Sequence, residues 1–421
     1  MTQVRVAIFC LVAFASLGSQ EPPAGGRRVV IENVRVFDGV KGLSSATVVI
    51  ENGKVASIGS SPRKVRGEER INGVGYTLLP GLIDSHVHLA GDRRALKESA
   101  KFGVTTVLEM WAAPDRMRRL RQMVVSEPAS DEADYLSSGA GATVRGGHGH
   151  FSDAYPTIAS AEEAEAFVRA RIAEGSDYIK IIVEHGSPRR PLPTLDSALI
   201  YAVTRAAHSQ RRRVIAHATR VEDVRLVAEA GVDGLAHAWV GGIDDNLLAL
   251  LSTRRIFVIP TLAAVESRID TTGSESILRD PHLARLLSEE SRKNLESSRG
   301  GLLKAERQEF YNLLLKLRGS NVTILAGTDA GNPGIAHGAS LHRELELLVL
   351  AGLSTQEALA AATSVPAMVF GLSDRGRIKV GARADLVLVK GDPIHDIRAT
   401  RMITAVWREG LRIAVPQTQP N

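Results

Sequence analysis

The sequence predicts an α/β protein: a (β/α)8 TIM barrel carrying a small β-sandwich domain built from both chain ends. Three observations lead there. Strand patterns alternate with helix patterns through the middle of the chain. β-rich runs punctuated by turn residues flank that region on both sides. Histidine, lysine and aspartate recur where the central strands end, the place such a barrel keeps its chemistry. The chain has 421 residues, 44% hydrophobic and 24% charged, which suits a globular protein with one barrel and an attached domain.

Taken in order, the chain opens with Arg5 ahead of an apolar run at 6–17, with small residues at Ala13, Ala15, Ser16 and Gly18. This pattern predicts a signal peptide over 1–20, cut between Ala15 and Gln20, because the run is short for a membrane span. An uncleaved anchor is the competing reading. The mature protein is expected to be periplasmic or secreted, with no membrane attachment after cleavage. Cys10, the only cysteine, leaves with the signal, and a large core needs no disulfide.

After a Pro/Gly-rich link at 21–26, β-rich runs occupy 28–37, 46–50, 54–58 and 74–79, with Asn52-Gly53 turning a hairpin. Matching runs lie at 385–390, 402–408 and 412–415. The small domain is therefore expected from 21–79 and 376–421, with the barrel at 80–375 between them. Barrel strands are predicted at 79–86, 103–109, 136–145, 177–183, 213–217, 234–238, 256–261 and 322–329. Helices fall at 161–173, 195–210, 221–229 and 244–252, and a helical insert at 266–319 reads as a lid. Basic clusters at 116–121 and 211–213 read as solvated faces. With 4% aromatic residues and no binding module, no nucleic-acid partner is expected.

The first barrel strand ends in His86-Val87-His88. Residues two apart share a face of a strand, so both imidazoles project together and can chelate one metal. His86, His88, Lys180, His217, His237 and Asp329 all fall at or near the C-terminal ends of predicted strands. In the strand around Lys180, Ile179, Ile181 and Val183 face the helices and Lys180 turns inward, where an ammonium needs a partner or must lose its charge. Arg145-Gly146-Gly147-His148-Gly149-His150 follows the third strand at the same end, its glycines allowing close backbone approach to a ligand.

These motifs resemble the metal-dependent amidohydrolase superfamily, in its imidazolonepropionase-like branch with prolidase-type dipeptidases and ochratoxinase-like amidases. The resemblance spans 28 to about 410. It implies that His86 and His88 bind the more buried of two divalent metal ions, with zinc expected. It implies that Lys180 is carboxylated by CO2 and bridges both ions, and that His217 and His237 bind the second. Asp329 in Gly327-Thr328-Asp329 would be a metal ligand and general base. His148 would stabilise the substrate oxyanion, with His150 and Arg145 beside it in substrate binding. The implied reaction is hydrolysis of an amide bond by a metal-bridging hydroxide, on a dipeptide or N-acyl amino acid.

Two departures bear on substrate preference: the segment 90–102 is short, and Ala236 stands where a glutamate commonly precedes the sixth-strand histidine. Two other readings remain. A mononuclear cyclic amidohydrolase or deaminase would make Lys180 structural, though His217-Ala218-Thr219-Arg220 lacks the acid that deaminases carry there. A metal-free barrel used for binding would be a non-enzyme. Such barrels often form homo-oligomers, but no interface is legible.

Overall fold

The computed structural model describes residues 28–414 apart from 188, 299, 302, 304 and 305. The expected signal segment 1–20 and link 21–26 lie outside the described residues. Among the described residues, no helix is long and apolar enough to cross a membrane.

Eight parallel staves form a closed ring. Leu82–Val87, Val104–Glu109 and Asp134–Ser137 pair in that order. The third stave continues to Ala142, which bridges Ile181. Ile179–Ile182, Val214–His217, Gly234–Ala236 and Phe257–Ile259 follow. Val258 bridges Ile324, and the segment holding Ile324 closes on the first strand through Ser85 N–H to Ala326 O at 3.0 Å and a bridge from Val87 to Ala330. Helices cover the outside. Ser197–Ser209 is capped by the Asp196 carboxylate, which accepts the Leu199 N–H at 2.9 Å and satisfies a donor the helix cannot. Its buried residues Leu199, Ile200 and Val203 join one core with Ile179, Ile181 and Val183. Each such side chain contributes about 1.5–3 kcal/mol by leaving water.

A separate core fills the barrel's other end. Tyr178, Ile215, Phe257, Ile259 and Leu325 pack together there, and Phe370, just beyond the helix Ser364–Val369, seals them with ring contacts of 5.4 Å to Tyr178 and 5.8 Å to Phe257. An apolar plug at one end leaves the strands' C-terminal ends as the place for polar groups.

The small domain draws strands from both chain ends into one hydrogen-bonded path: Leu411–Ile413, Ile403–Arg408, Leu386–Lys390, Tyr76–Pro80, Val29–Phe37, Gly42–Glu51 and Lys54–Gly59, with Glu69–Asn72 beside Val29–Phe37. The sheet doubles back on itself, since Lys54 bridges Arg383 and Val55 N–H bonds Ala382 O at 2.9 Å. The fold encloses Ile31, Val36, Ile50, Leu78, Leu388 and Trp407.

Three strand expectations need correction. Residues 79–86 are two elements, because Tyr76–Pro80 pairs with Leu386–Lys390 and the chain changes sheets at Gly81. A Cβ at Gly81 would strike Thr105 Oγ1 at 2.2 Å, so only glycine lets the two sheets meet so closely. The third strand starts at Asp134 and breaks before Ala142, where Gly139 takes φ +62°. Residues 322–329 form bridges rather than a regular strand, ending at Asp329 with φ +66°. The insert appears as the helices Thr272–Arg279, Pro281–Ala284, Glu289–Glu296 and Arg307–Gly319. It is tied to the barrel where Asn294 accepts the Gly334 and Ile335 N–H groups, each at 3.0 Å.

Candidate metal centre

The side chains at the open end converge. His86, His88 and Asp329 each offer a ligand atom, all within 4.8 Å of one another. Asp329 Oδ1 lies 2.8 Å from His88 Nε2 and 3.3 Å from His86 Nε2. Beyond them the imidazoles form a chain, with centroids 4.8 Å apart from His86 to His237, 4.5 Å from His237 to His217 and 5.0 Å from His217 to His148. Alternation along Ile179–Ile182 turns Lys180 into the same space, where it is 3% exposed. His237 at φ +79° and Asp329 at φ +66° hold left-handed backbone, a conformation uncommon outside glycine that functional sites tolerate.

Supporting groups fix these side chains. Asp84 accepts from Thr328 Oγ1 at 2.6 Å and from the Thr328 and His86 N–H groups at 3.0 and 3.2 Å, locking the first strand to the turn that bears Asp329. Burial pushes the Asp84 carboxyl up to about 7. His237 Nδ1 meets Thr261 Oγ1 at 2.9 Å, which leaves Nε2 for another partner. Glu109 accepts the Leu89 N–H at 3.0 Å and Ser137 Oγ at 2.9 Å, tethering the chain just after His88.

The donor set fits divalent metal ions. Among the described residues, Lys180 Nζ and His217 Nε2 are buried without a hydrogen-bond partner, and Asp329 Oδ1 has the Nε2 atoms of His86 and His88 against it. Orphaned polar atoms beside a carboxylate and four imidazoles are costly unless something else binds them. Burial holds His86, His217 and His237 below the ordinary imidazole range, with Lys180 adding to the effect. The rings are therefore neutral, as metal ligands must be. Burial also brings the Lys180 amine down to about 7, against the pull of Asp329. Imidazole and carboxylate donors suit zinc and similar ions.

The glycine-rich loop divides its candidates. His148 stacks beside His217, and burial with that neighbour lowers it to about 4. His150 turns into its own loop, where its Nδ1 accepts the Gly146 N–H at 3.2 Å. Arg145 is exposed and pairs with exposed Asp153 at 3.4 Å. Glu184, absent from the residues expected at the site, has its Oε2 3.5 Å from His217 Nε2 and 2.7 Å from Thr219 Oγ1. At 3.5 Å the histidine contact is long for a hydrogen bond. Burial raises the Glu184 carboxyl, but His217 and Thr219 outweigh it and hold it at about 2. Its signal was available, since Lys180, Ile182 and Glu184 share one face by alternation. Thr261 gave no comparable signal.

Comparison with known proteins agrees with this geometry. A family model described as the amidohydrolase family matches residues 77–413. The ochratoxinase of Aspergillus niger is 24% identical over 433 aligned positions, covering 90% of this chain and 85% of that protein. An imidazolonepropionase of Salinispora arenicola is 26% identical, covering 93% and 97%. Among solved structures, a Xaa-Pro dipeptidase with methionine bound in its active site superposes with a TM-score of 0.72 at 24% identity, covering 91% of this chain and 99% of that one.

Proposed function

The chain belongs to the amidohydrolase family and is a hydrolase of that superfamily; on that premise we propose that it cleaves the amide bond of a dipeptide or N-acyl amino acid, using two divalent metal ions. The observation that carries this reading is the cluster of His86, His88 and Asp329 in one mouth with His217, His237 and an inward, unpartnered Lys180. His86, His88 and Asp329 would hold one ion and His217 and His237 the other. Lys180 would reach both, its neutral amine having added CO2 to give a carbamate and released one proton. That change replaces a buried cation with an anion carrying two donor oxygens, a better neighbour for metal ions. When bound, the ions would acidify a water molecule and polarise the amide carbonyl.

The chain's own groups supply the proton transfers. Asp329 takes a proton from the attacking water and returns it to the leaving nitrogen as the C–N bond breaks and the water oxygen joins the acyl carbon. Neutral His148 donates an N–H to the oxyanion that develops on the carbonyl. Thr261 and Asp84 keep the ligand side chains in place, as the partners of metal ligands do.

The test is to offer the zinc-loaded protein dipeptides, N-acyl amino acids, lactones and aminopurines. Release of amino acid from the first two classes is expected. Turnover of lactones or aminopurines alone would overturn the amide reading. The one-metal alternative rests on the compact three-ligand cluster alone, and a metal count separates the two.

Export is proposed on the apolar run at 6–17. Intact mass of the protein from its native host should show a first residue between Ser16 and Glu21. A chain retaining Met1 would remove the assignment.

A further inference from the structure

In a chain only 4% aromatic, three rings gather beside the histidines. Trp111 and Tyr155 stack at 4.2 Å with 10° between their planes, and Phe151 stands on edge to both at 4.8 and 6.2 Å. Phe151 also meets His148 edge-on at 6.0 Å. Ring contacts thus run unbroken from His237 through His217 and His148 to this cluster.

Two loops build it. Trp111 follows the second barrel strand, while Phe151 and Tyr155 follow the glycine-rich segment after the third. Gly149 lets the loops meet: its φ is +87°, and a Cβ there would strike Ile182 Cδ1 at 2.5 Å and lie 3.5 Å from Trp111 Nε1. Single exposed apolar side chains are ordinary. Phe151 differs because it is 66% exposed while packing on Trp111, on Tyr155 and on the ring beside His217. A planar apolar group resting there would cover Phe151 and reach His148 at once.

We propose that Phe151, Trp111 and Tyr155 form the subsite for an aromatic side chain of the substrate, so that the preferred amides are those of aromatic amino acids. The inference rests on the amide-hydrolase reading for its chemistry but on the ring geometry for its specificity. An aromatic side chain gains edge-to-face contacts that an aliphatic one of similar size cannot make. A preference of roughly tenfold is the size two such contacts imply.

The experiment measures equilibrium binding of L-phenylalanine and L-leucine to the full-length zinc-loaded protein, together with hydrolysis of their N-acetyl derivatives. Phe151 is exposed, so Phe151→Leu and Phe151→Tyr leave the fold intact. The wild type should bind phenylalanine about tenfold more tightly than leucine. Phe151→Leu should bring the two within about twofold, and Phe151→Tyr should keep the preference. Equal or undetectable binding of both amino acids to the wild type, or a preference that survives Phe151→Leu, would overturn the subsite. Preferential binding without hydrolysis of either derivative would uphold the subsite and sink the amide reading instead.

Discussion

Two buried clusters of charged and polar groups, at opposite ends of the barrel strands, are built on opposite plans. At the N-terminal end, Asp134 opens the third strand and takes Arg375 together with Arg383 and Arg408 from the small domain, with Arg383 Nη2 at 2.5 Å and Arg408 Nη2 at 2.6 Å. Arg383 also pairs with Asp385, whose other carboxylate oxygen accepts the Glu409 N–H at 2.8 Å. At the C-terminal end, Lys180 Nζ and His217 Nε2 keep no hydrogen-bond partner, and Asp329 meets only imidazoles. The seam satisfies its charges within the chain and fastens two domains. The mouth leaves its donors unsatisfied, a cost in stability that a bound ligand removes.

The strongest way to sharpen this contrast is Asp329→Asn. It preserves shape and one ligand oxygen but removes the base, so turnover should fall by roughly 10²–10⁴-fold while metal content stays near full. Melting temperature should change little. Near-normal turnover would remove Asp329 from proton transfer.

The seam should respond in the other currency. Burial alone would raise the Asp134 carboxyl, yet Arg383, Arg375 and Arg408 hold it at about 2, below its ordinary 3.8. A depressed carboxyl contributes stability above its unfolded pKa and loses it as pH falls through the folded value. That contribution is therefore complete above about pH 4 and gone near pH 2. Asp134→Asn should cost roughly 2–3 kcal/mol in denaturant titrations at neutral pH. Turnover per folded molecule should be unchanged, and a drop in kcat would mean that the two ends are coupled.

The smallest expected effect lies between the two plans, at a group that supports the mouth without entering it. Thr261→Val removes the partner of His237 Nδ1 and should weaken metal affinity by about 10–100-fold, as loss of a ligand's orienting hydrogen bond does. Unchanged affinity in a competition with a chelator would show that packing alone orients the ring.

The mouth was far more legible in the sequence than the seam. His86 and His88 declare themselves because a strand repeats every two residues, and the same rule turns Lys180 inward between Ile179 and Ile181. His217, His237 and Asp329 stand out only because each ends a stretch that reads as a strand. The support is harder to see. Asp84 shares a strand face with His86, yet its partner Thr328 lies across the barrel closure, and Thr261 acts through a turn with φ +47°. The seam is invisible in one dimension, since Asp134 meets arginines more than two hundred residues away, each an ordinary surface charge until the small domain docks. Residues 79–86 read as one strand in the sequence because Pro80 and Gly81 interrupt the backbone without interrupting the apolar pattern.

Whether the mouth is a two-metal centre organised by Lys180 is decided by counting metal ions per chain in the wild type and in Lys180→Ala after saturation with zinc and bicarbonate. Two ions are expected in the wild type and about one in the variant, with a short carboxylic acid in solution restoring part of the second site. One ion in both proteins would contradict the two-metal centre.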